Sequence, residues 1–333
     1  MQILVTGCGG FLGSEIVRQL LRRGDHVVGV SRQSYADLEA LGMTHRRGDL
    51  CNASFTQNAL VDVDAVIHTA AVAGVWGPWQ RYYRINTLAT EHVIDACRQN
   101  KIPSLVYTSS PSVTFDGSDQ CGIDEAVPYP PKWMCHYPHT KALAEQAVLK
   151  AHEPGRFSTC ALRPHLIWGA DDPHLLARVV DRARSGKLRI VGDGQNLIDT
   201  VHVSDAAASH LYALDALGKS PETAGGQAYF VTQDEPVNCW DWIGQICETA
   251  GVAKPTKRIG FSTAYRMGAL LETAYRWMGR KEEPPMTRFV AAQLARHHYF
   301  DISAAKQRLG YTPKQTMAER LAELRDRWSS KHA

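Results

Sequence analysis

Near the start of the chain, Thr6-Gly7-Cys8-Gly9-Gly10-Phe11-Leu12-Gly13 separates a short β-branched run, Gln2–Thr6, from a helical pattern. Gly7, Gly10 and Gly13 fall at three-residue intervals and fit G-x-x-G-x-x-G; the related G-x-G-x-x-G fails, because Leu12 occupies its last position. A strand that enters such a turn and leaves as a helix lets the backbone approach a pyrophosphate and aims a helix N-terminus at it. Gly7, Gly10, Phe11, Leu12 and Gly13 are therefore candidate dinucleotide contacts. A glycine turn with no ligand is the alternative, and the strand–turn–helix context weighs against it.

The rest of the chain keeps that rhythm. Helical periodicity through Ile16, Val17, Leu20 and Leu21 stops at Gly24, and apolar runs follow at His26–Val30, Ala65–His68, Leu105–Thr108 and Ser158–Arg163. A helical stretch from about Asn86 to Asn100 ends before Pro103. Strands alternating with helices predict an α/β fold, a Rossmann-type doubly wound parallel sheet with right-handed crossovers. After Trp168-Gly169 the pattern turns irregular until a helix near Val203–Leu217 and a strand near Gln227–Thr232; the last hundred residues are helical and basic. The expected division is a dinucleotide-binding domain over 1–168, with 198–232 returning to it. Residues 169–197 and 233–333 are expected to form a smaller, mostly helical substrate lobe.

With 44% hydrophobic and 21% charged residues in 333, a disordered or collagen-like chain is excluded. The eight cysteines form no C-x-x-C pair and no zinc spacing, and His136, His139 and His297-His298 lack a ligand set, so no metal is expected. Met1-Gln2 runs directly into an apolar strand, and the longest apolar stretches fall short of the roughly 18 residues of a membrane span, so a cytoplasmic protein is expected. The net charge of +3 conceals a split. Residues 1–253 carry 21 Lys+Arg against 27 Asp+Glu, whereas 254–333 carry 16 against 7. That asymmetry points to an anionic substrate or partner at the C-terminal part. Its charges are interleaved with Glu and match no reader motif, so nucleic acid is not expected.

The second strand should end at the residue that selects the cofactor. There the chain reads Val30-Ser31-Arg32, with no acidic residue for a ribose 2′-hydroxyl and an arginine able to pair with a 2′-phosphate. NADP(H) is the expected cofactor, with Ser31 and Arg32 at its phosphate; an ordinary surface arginine is the alternative. Further on, Tyr137-Pro138-His139-Thr140-Lys141 contains Y-x-x-x-K. Pro138 suits the first turn of a helix, which sets Tyr137 and Lys141 one turn apart on one face. A lysine ammonium there favours the phenolate and would lower the Tyr137 pKa. Upstream, Tyr107-Thr108-Ser109-Ser110 offers hydroxyls at a strand end to polarise a carbonyl.

At these residues the chain resembles the extended short-chain dehydrogenase/reductase superfamily. The resemblance spans nearly the whole chain: the glycine turn, Asp49-Leu50, His68-Thr69-Ala70-Ala71, Asn86, Ser110, Tyr137, Lys141, Arg163-Pro164 and Asp205. It implies that Ser110 polarises the substrate oxygen, Tyr137 transfers the proton, and Lys141 tunes Tyr137 and holds the nicotinamide ribose. Ser109 and Ser112 are weaker alternatives for the serine. It also implies cofactor contacts at Asp49, Leu50, Ala70, Ala71 and Pro164. Dehydratases of the superfamily carry Thr-Asp-Glu where this chain has Thr108-Ser109-Ser110, which argues against water elimination. Nucleotide-sugar epimerases place an arginine where Ile198 stands, which argues against a nucleotide-sugar substrate.

Tyr-Pro-His-Thr-Lys is similar to the 3β-hydroxysteroid dehydrogenase and sterol-carboxylate branch. Residues 73–77, 172–176, 263–270 and 286–289 resemble the 2-alkyl-3-oxoalkanoate reductases of bacterial long-chain olefin biosynthesis. That likeness implies NADPH-dependent reduction of the 3-keto group of a long-chain 2-alkyl-3-oxoalkanoic acid. It further implies association with a β-lactone-forming acyl ligase and a decarboxylase of the same route, and a homo-oligomer. A sterol-type dehydrogenase is the alternative substrate reading; an NADP-sensing regulator without turnover is the alternative from another class, disfavoured because all three catalytic residues are present.

A lipid-like keto acid needs an apolar cavity and a cation for its carboxylate. In 261–280 a helical stripe carries Ala264, Met267, Gly268, Leu271, Tyr275 and Met278, with Arg266, Arg276 and Arg280 beside it and Arg288 beyond. Such a helix is a candidate lid over lipid chains or a peripheral membrane contact; an amphipathic helix facing the core is the plain alternative. Trp76, Trp79 and Tyr82 are candidate cavity walls, or else a local aromatic cluster.

Overall fold

The computed structural model describes residues 1–332; residue 333, the last of the expected second lobe, lies outside them. Seven parallel strands form the main sheet: β1 (Gln2–Thr6), β2 (His26–Ser31), β3 (Thr44–Arg47), β4 (Ala65–His68), β5 (Ser104–Thr108), β6 (Ser158–Pro164) and β7 (Gln227–Val231). Their spatial order is β7-β6-β5-β4-β1-β2-β3.

The central strands are buried on both faces, as a parallel sheet between helix layers requires. Alternate residues divide between two cores. Ile3 and Val5 face one layer and Leu4 the other; Val106 and Leu105 divide in the same way. Helix α1 (Phe11–Arg23) supplies Ile16, Val17 and Leu20 to the first core, while α2 (Ala89–Gln99) and α3 (His136–Lys150) supply Val93, Ile94, Ala144 and Val148 to the second. Gly24 closes α1 in the left-handed region at φ 90°, where it caps the Leu20 and Leu21 carbonyls.

A third core marks the second lobe. The helices after β6 include α4 (Leu175–Arg184), α5 (Val203–Lys219), α6 (Cys239–Thr249), α7 (Phe261–Trp277), α8 (Arg288–Ala295) and α9 (Met317–His332). Trp168, Leu176, Trp240, Trp242, Ile243, Ala264 and Ala291 pack together, but α5 belongs to the first lobe, with Ala206, Ala213 and Leu214 in the α1 core. The chain crosses between lobes several times. Gln120–Ile123, well inside the first 168 residues, pairs with His298–Phe300 in a four-stranded sheet that also holds Leu197–Ile198 and Val237–Asn238. Asp205 on α5 accepts two hydrogen bonds from Arg320 on α9, at 2.7 and 3.0 Å, which ties the C-terminal helix back to the first lobe. Among the described residues no helix is long and apolar enough to cross a membrane.

Candidate active site

In the strand order, β1 and β4 are neighbours whose crossovers leave in opposite directions, and this switch point is where open α/β sheets bind ligands. A cavity of about 1240 Å³ opens there at the carboxyl ends of the strands. It is lined by Gly7, Gly10, Phe11, Leu12 and Gly13 of the turn, Ser31 and Arg32 at β2, and Asp49 and Leu50 after β3. Ala70 and Ala71 follow β4, Ser110 follows β5, Tyr137 and Lys141 come from α3, and Pro164 ends β6. All fifteen sequence-derived site residues therefore face one space.

The glycines are there for contact reasons. Gly7 has φ 65°, and a Cβ on it would fall 2.9 Å from the backbone of Ala70. A Cβ on Gly13 would lie 2.2 Å from the Gly7 carbonyl oxygen, so α1 packs on the turn only with glycine. The first turn of α1 has no side-chain cap and no acidic residue, which leaves its N–H groups for an anion. The Thr6 hydroxyl accepts from Thr69 N and Ala70 N, both at 3.1 Å, and lies 2.6 Å from His68 Nδ1; His68 Nε2 lies 2.9 Å from Thr90 Oγ1. Burial pushes the His68 pKa down to about 3, so the ring is a neutral link between β1, β4 and α2. Asn86, in a π-helical turn over Tyr83–Leu88, bonds both backbone groups of Val72 and the Thr140 hydroxyl, fixing the loop after β4 against α3.

At the cofactor-selecting end, the Ser31 hydroxyl is already engaged: it donates to the Gln33 carbonyl and meets His45 Nε2, each at 2.7 Å. Arg32 has no ion pair within 4 Å among the described residues. Arg84 lies 3.5 Å from Asp49, whose carboxyl is held below its ordinary range chiefly by the Cys51 N–H. Sequence reasoning missed Tyr35, whose ring lies directly on Gly9, where a Cβ would be 1.8 Å from Cζ. No motif signals a loop tyrosine of this kind.

Lys141 Nζ donates to the Thr108 carbonyl at 2.5 Å and sits 4.2 Å from the centre of the Tyr107 ring. Burial pushes its pKa down to about 7, against the opposing pull of Glu145 one turn on. The expected depression of Tyr137 is reversed: burial raises this phenol above its ordinary 10, and a hydrogen bond with Ser110 only partly opposes it. Ser110 Oγ lies 2.8 Å from Ser112 Oγ. Ser112 stays outside the cavity, whereas Ser109 lines it with a buried hydroxyl that has no partner. Arg163, beside Pro164, turns away into a buried pair with Glu145 at 2.6 and 3.1 Å.

A second cavity, of about 1180 Å³, lies across the 73–78 loop from the first. Its walls are Trp76, Trp133, Tyr265, Tyr275 and Phe289, and Cys135 and His136 bring it to the residues adjoining Tyr137. Two expected walls are absent from it. Trp79 stacks on Tyr83 and tilts against His139, and Tyr82 is buried with its hydroxyl donating to the Trp76 carbonyl. The expected apolar stripe of α7 also divides. Ala264, Gly268 and Glu272 are buried, whereas Met267 and Met278 are exposed.

Glu272 is the residue that the hydrophobic pattern could not reveal. It accepts from Arg288 N at 2.7 Å and from Arg288 Nε and Nη2 at 3.0 and 2.8 Å, which neutralises one of the four candidate arginines. Arg276 lies at 3.5 Å from the same carboxylate and over the Trp76 ring, Arg280 lies over Tyr275, and Arg266 lines neither cavity.

Residues 4–261 match the 3-beta hydroxysteroid dehydrogenase/isomerase family. A protein of Shewanella oneidensis named 2-alkyl-3-oxoalkanoate reductase is 45% identical over 327 residues, covering 96% of this chain and 84% of that one. A protein of the same name from Stenotrophomonas maltophilia is 42% identical, covering 98% of each. Among solved structures, MoeE5 in complex with UDP-glucose and NAD superposes with a TM-score of 0.74 at 26% identity, over 100% of this chain and 99% of that one.

Proposed function

This chain belongs to the 3-beta hydroxysteroid dehydrogenase/isomerase family, and from that premise we propose that it is an oxidoreductase that reduces the 3-keto group of a long-chain 2-alkyl-3-oxoalkanoic acid to the alcohol, using NADPH. The observation that carries the reading is one cavity holding the glycine turn, Ser110, Tyr137 and Lys141, in a chain more than 40% identical to two reductases of that name.

A nicotinamide dinucleotide fits this cavity. The Gly7 and Gly13 contacts leave no room for side chains at the phosphate turn, α1 opens uncapped, and the unpartnered Ser109 hydroxyl lines the wall. MoeE5 carries NAD in the same fold. When bound, the cofactor supplies the hydride that the carbonyl carbon receives. Ser110 donates to the substrate oxygen as negative charge grows on it, and Tyr137 gives that oxygen its proton. Lys141, held by the Thr108 carbonyl, stabilises the phenolate left on Tyr137 when it carries its charge, below about pH 7. Arg32, which has no carboxylate within ion-pair distance among the described residues and feels Asp49 only at longer range, is the residue we assign to a 2′-phosphate.

Purified protein should oxidise NADPH with a long-chain 2-alkyl-3-oxoalkanoic acid and, given NADP⁺, show little oxidation of a 3-hydroxysterol 4-carboxylate. Tyr137→Phe should lose about 10²–10⁴-fold in kcat while retaining cofactor affinity. Equal turnover by this variant would remove Tyr137 from the proton step. Arg32→Ala should lower kcat/KM for NADPH about tenfold or more and leave the value for NADH nearly unchanged. An equal loss with both cofactors would refute the 2′-phosphate assignment.

A further inference from the structure

Helix α7 packs one face against its neighbours and leaves large apolar side chains on the other. Ala264, Gly268 and Glu272 recur every fourth residue and are buried; Gly268 and Glu272 meet the start of α8, and Ala264 belongs to the third core. On the opposite side, Leu270 and Trp277 are seven residues apart and so share a face. They are 74% and 89% exposed, and Met267 and Met278 extend the patch at 38% and 48%. A folded protein rarely leaves such a contiguous set of large apolar side chains in water without a use for it.

The surroundings of the patch are basic. A groove of about 710 Å³ runs along α7, with Met267, Leu271, Met286 and Leu294 on its floor. Arg178, Arg182, Lys187 and Arg189 line the same groove against a single carboxylate, Asp181. Glu283 pairs with Arg178, and Arg182 donates to the Pro285 carbonyl. Lys187 and Arg189 are exposed and have no ion pair among the described residues. Arg266 is exposed on α7 itself, and Arg280 and Lys281 are exposed just beyond its end, next to an exposed Glu282.

We propose that this face of α7, with the Lys187–Arg189 rim, docks the protein onto an anionic lipid membrane. Leu270, Met267 and Met278 enter the acyl boundary, Trp277 sits at the headgroup level, and the cations meet lipid phosphates. The charge pattern selects this occupant over a second copy of the chain, because a two-fold contact through the patch would set like-charged rims against each other. The opposite side of the helix carries Tyr265, Tyr275 and Arg276 into the second cavity. Docking therefore brings that cavity within about one helix diameter, ~10 Å, of the bilayer surface. For a water-insoluble two-chain acid this is the entry route, a consequence that rests on the reductase reading; the docking itself does not.

The test is co-sedimentation with vesicles of phosphatidylcholine alone and of phosphatidylcholine with phosphatidylglycerol. The wild type should sediment with the anionic vesicles, much less with the neutral ones, and be released by high salt. Leu270→Ser/Trp277→Ser should partition about tenfold less, and Lys187→Glu/Arg189→Glu should lose the preference for anionic lipid. Unchanged thermal unfolding and unchanged turnover of a short, water-soluble keto acid would show that both double variants are folded. Absence of vesicle binding by the wild type, or equal binding by the Ser/Ser variant, overturns the proposal. So does a wild-type oligomer, seen by light scattering without vesicles, that the Ser/Ser variant dissolves, because the patch is then an interface between copies. Vesicle binding is read without substrate, so a failed reductase assay leaves this result standing on its own.

Discussion

At the scale of single residues, the pair Tyr137 and Lys141 shows what spacing fixes and what it leaves open. Y-x-x-x-K on a helix set both side chains on one face, and both do line one cavity. Their protonation does not follow from spacing, because it depends on burial. With the Tyr137 phenol raised, it stays protonated across the physiological range and is ready to act as an acid. Lys141 behaves in the opposite sense. Its charged form is penalised by burial, so it is an ammonium below about pH 7 and loses its charge above it. If reduction needs that ammonium to stabilise the Tyr137 phenolate, kcat in the reductive direction should fall as pH rises through about 7. A pH profile of kcat at saturating substrate checks this, and a flat line from pH 6 to 9 would discard Lys141 as the titrating group. Ser31 and Arg32 teach the same lesson. The missing acid was visible in the sequence, but His45, a residue of β3, already occupies the Ser31 hydroxyl, and cross-strand neighbours are invisible in a linear reading.

At the scale of elements, the strands of the first lobe were legible because each is a short apolar run with a stop signal. Two features were hidden. Gln120–Ile123 contains Gln, Cys and Gly and owes its strand to pairing with His298–Phe300, about 180 residues away. The periodicity of α7 announced an amphipathic helix and hid which side is packed. Gly268 decides that. A Cβ there would fall 2.7 Å from Thr287 C and 2.8 Å from Arg288 N, both backbone atoms that cannot swing aside. Gly268→Ala should therefore push α7 off α8 and cost about 1–3 kcal/mol in unfolding free energy, despite the better helix propensity of alanine. Denaturant unfolding of the variant measures it. A neutral or stabilising result would mean that the two helices separate without cost, and that Glu272 does not hold Arg288 as tightly as its three hydrogen bonds imply.

At the scale of the whole molecule, the small net charge was the least informative number in the sequence, and its uneven distribution was the useful one. The structure gives the excess cations of the C-terminal part different positions. Arg320 ties α9 to α5, Arg288 is neutralised by Glu272, and Arg266 faces away from both cavities. The second cavity is nevertheless basic, because Lys132, Arg276, Arg280, Lys281 and Arg288 line it against Asp116 and Glu272. It is also built from both lobes: Trp76, Trp133 and His136 come from the first, and Tyr275 and Arg276 from the second. Among the described residues Lys132, Arg280 and Lys281 form no ion pair, and Arg276, which lies over the Trp76 ring in the cavity wall, has only a loose carboxylate contact at 3.5 Å, because Glu272 is already committed to Arg288. It therefore keeps charge available for a substrate carboxylate. Arg276→Gln should raise KM for the keto acid about 10- to 100-fold, since a hydrogen bond to a charged group contributes about 1.5–3 kcal/mol, and should leave KM for the cofactor unchanged. The methyl ester of the same acid carries no charge, so wild type and variant should handle it alike. If the variant loses as much with the ester as with the acid, Arg276 acts through its stacking on Trp76 and shapes the wall of the cavity. The carboxylate would then be met elsewhere in the basic rim.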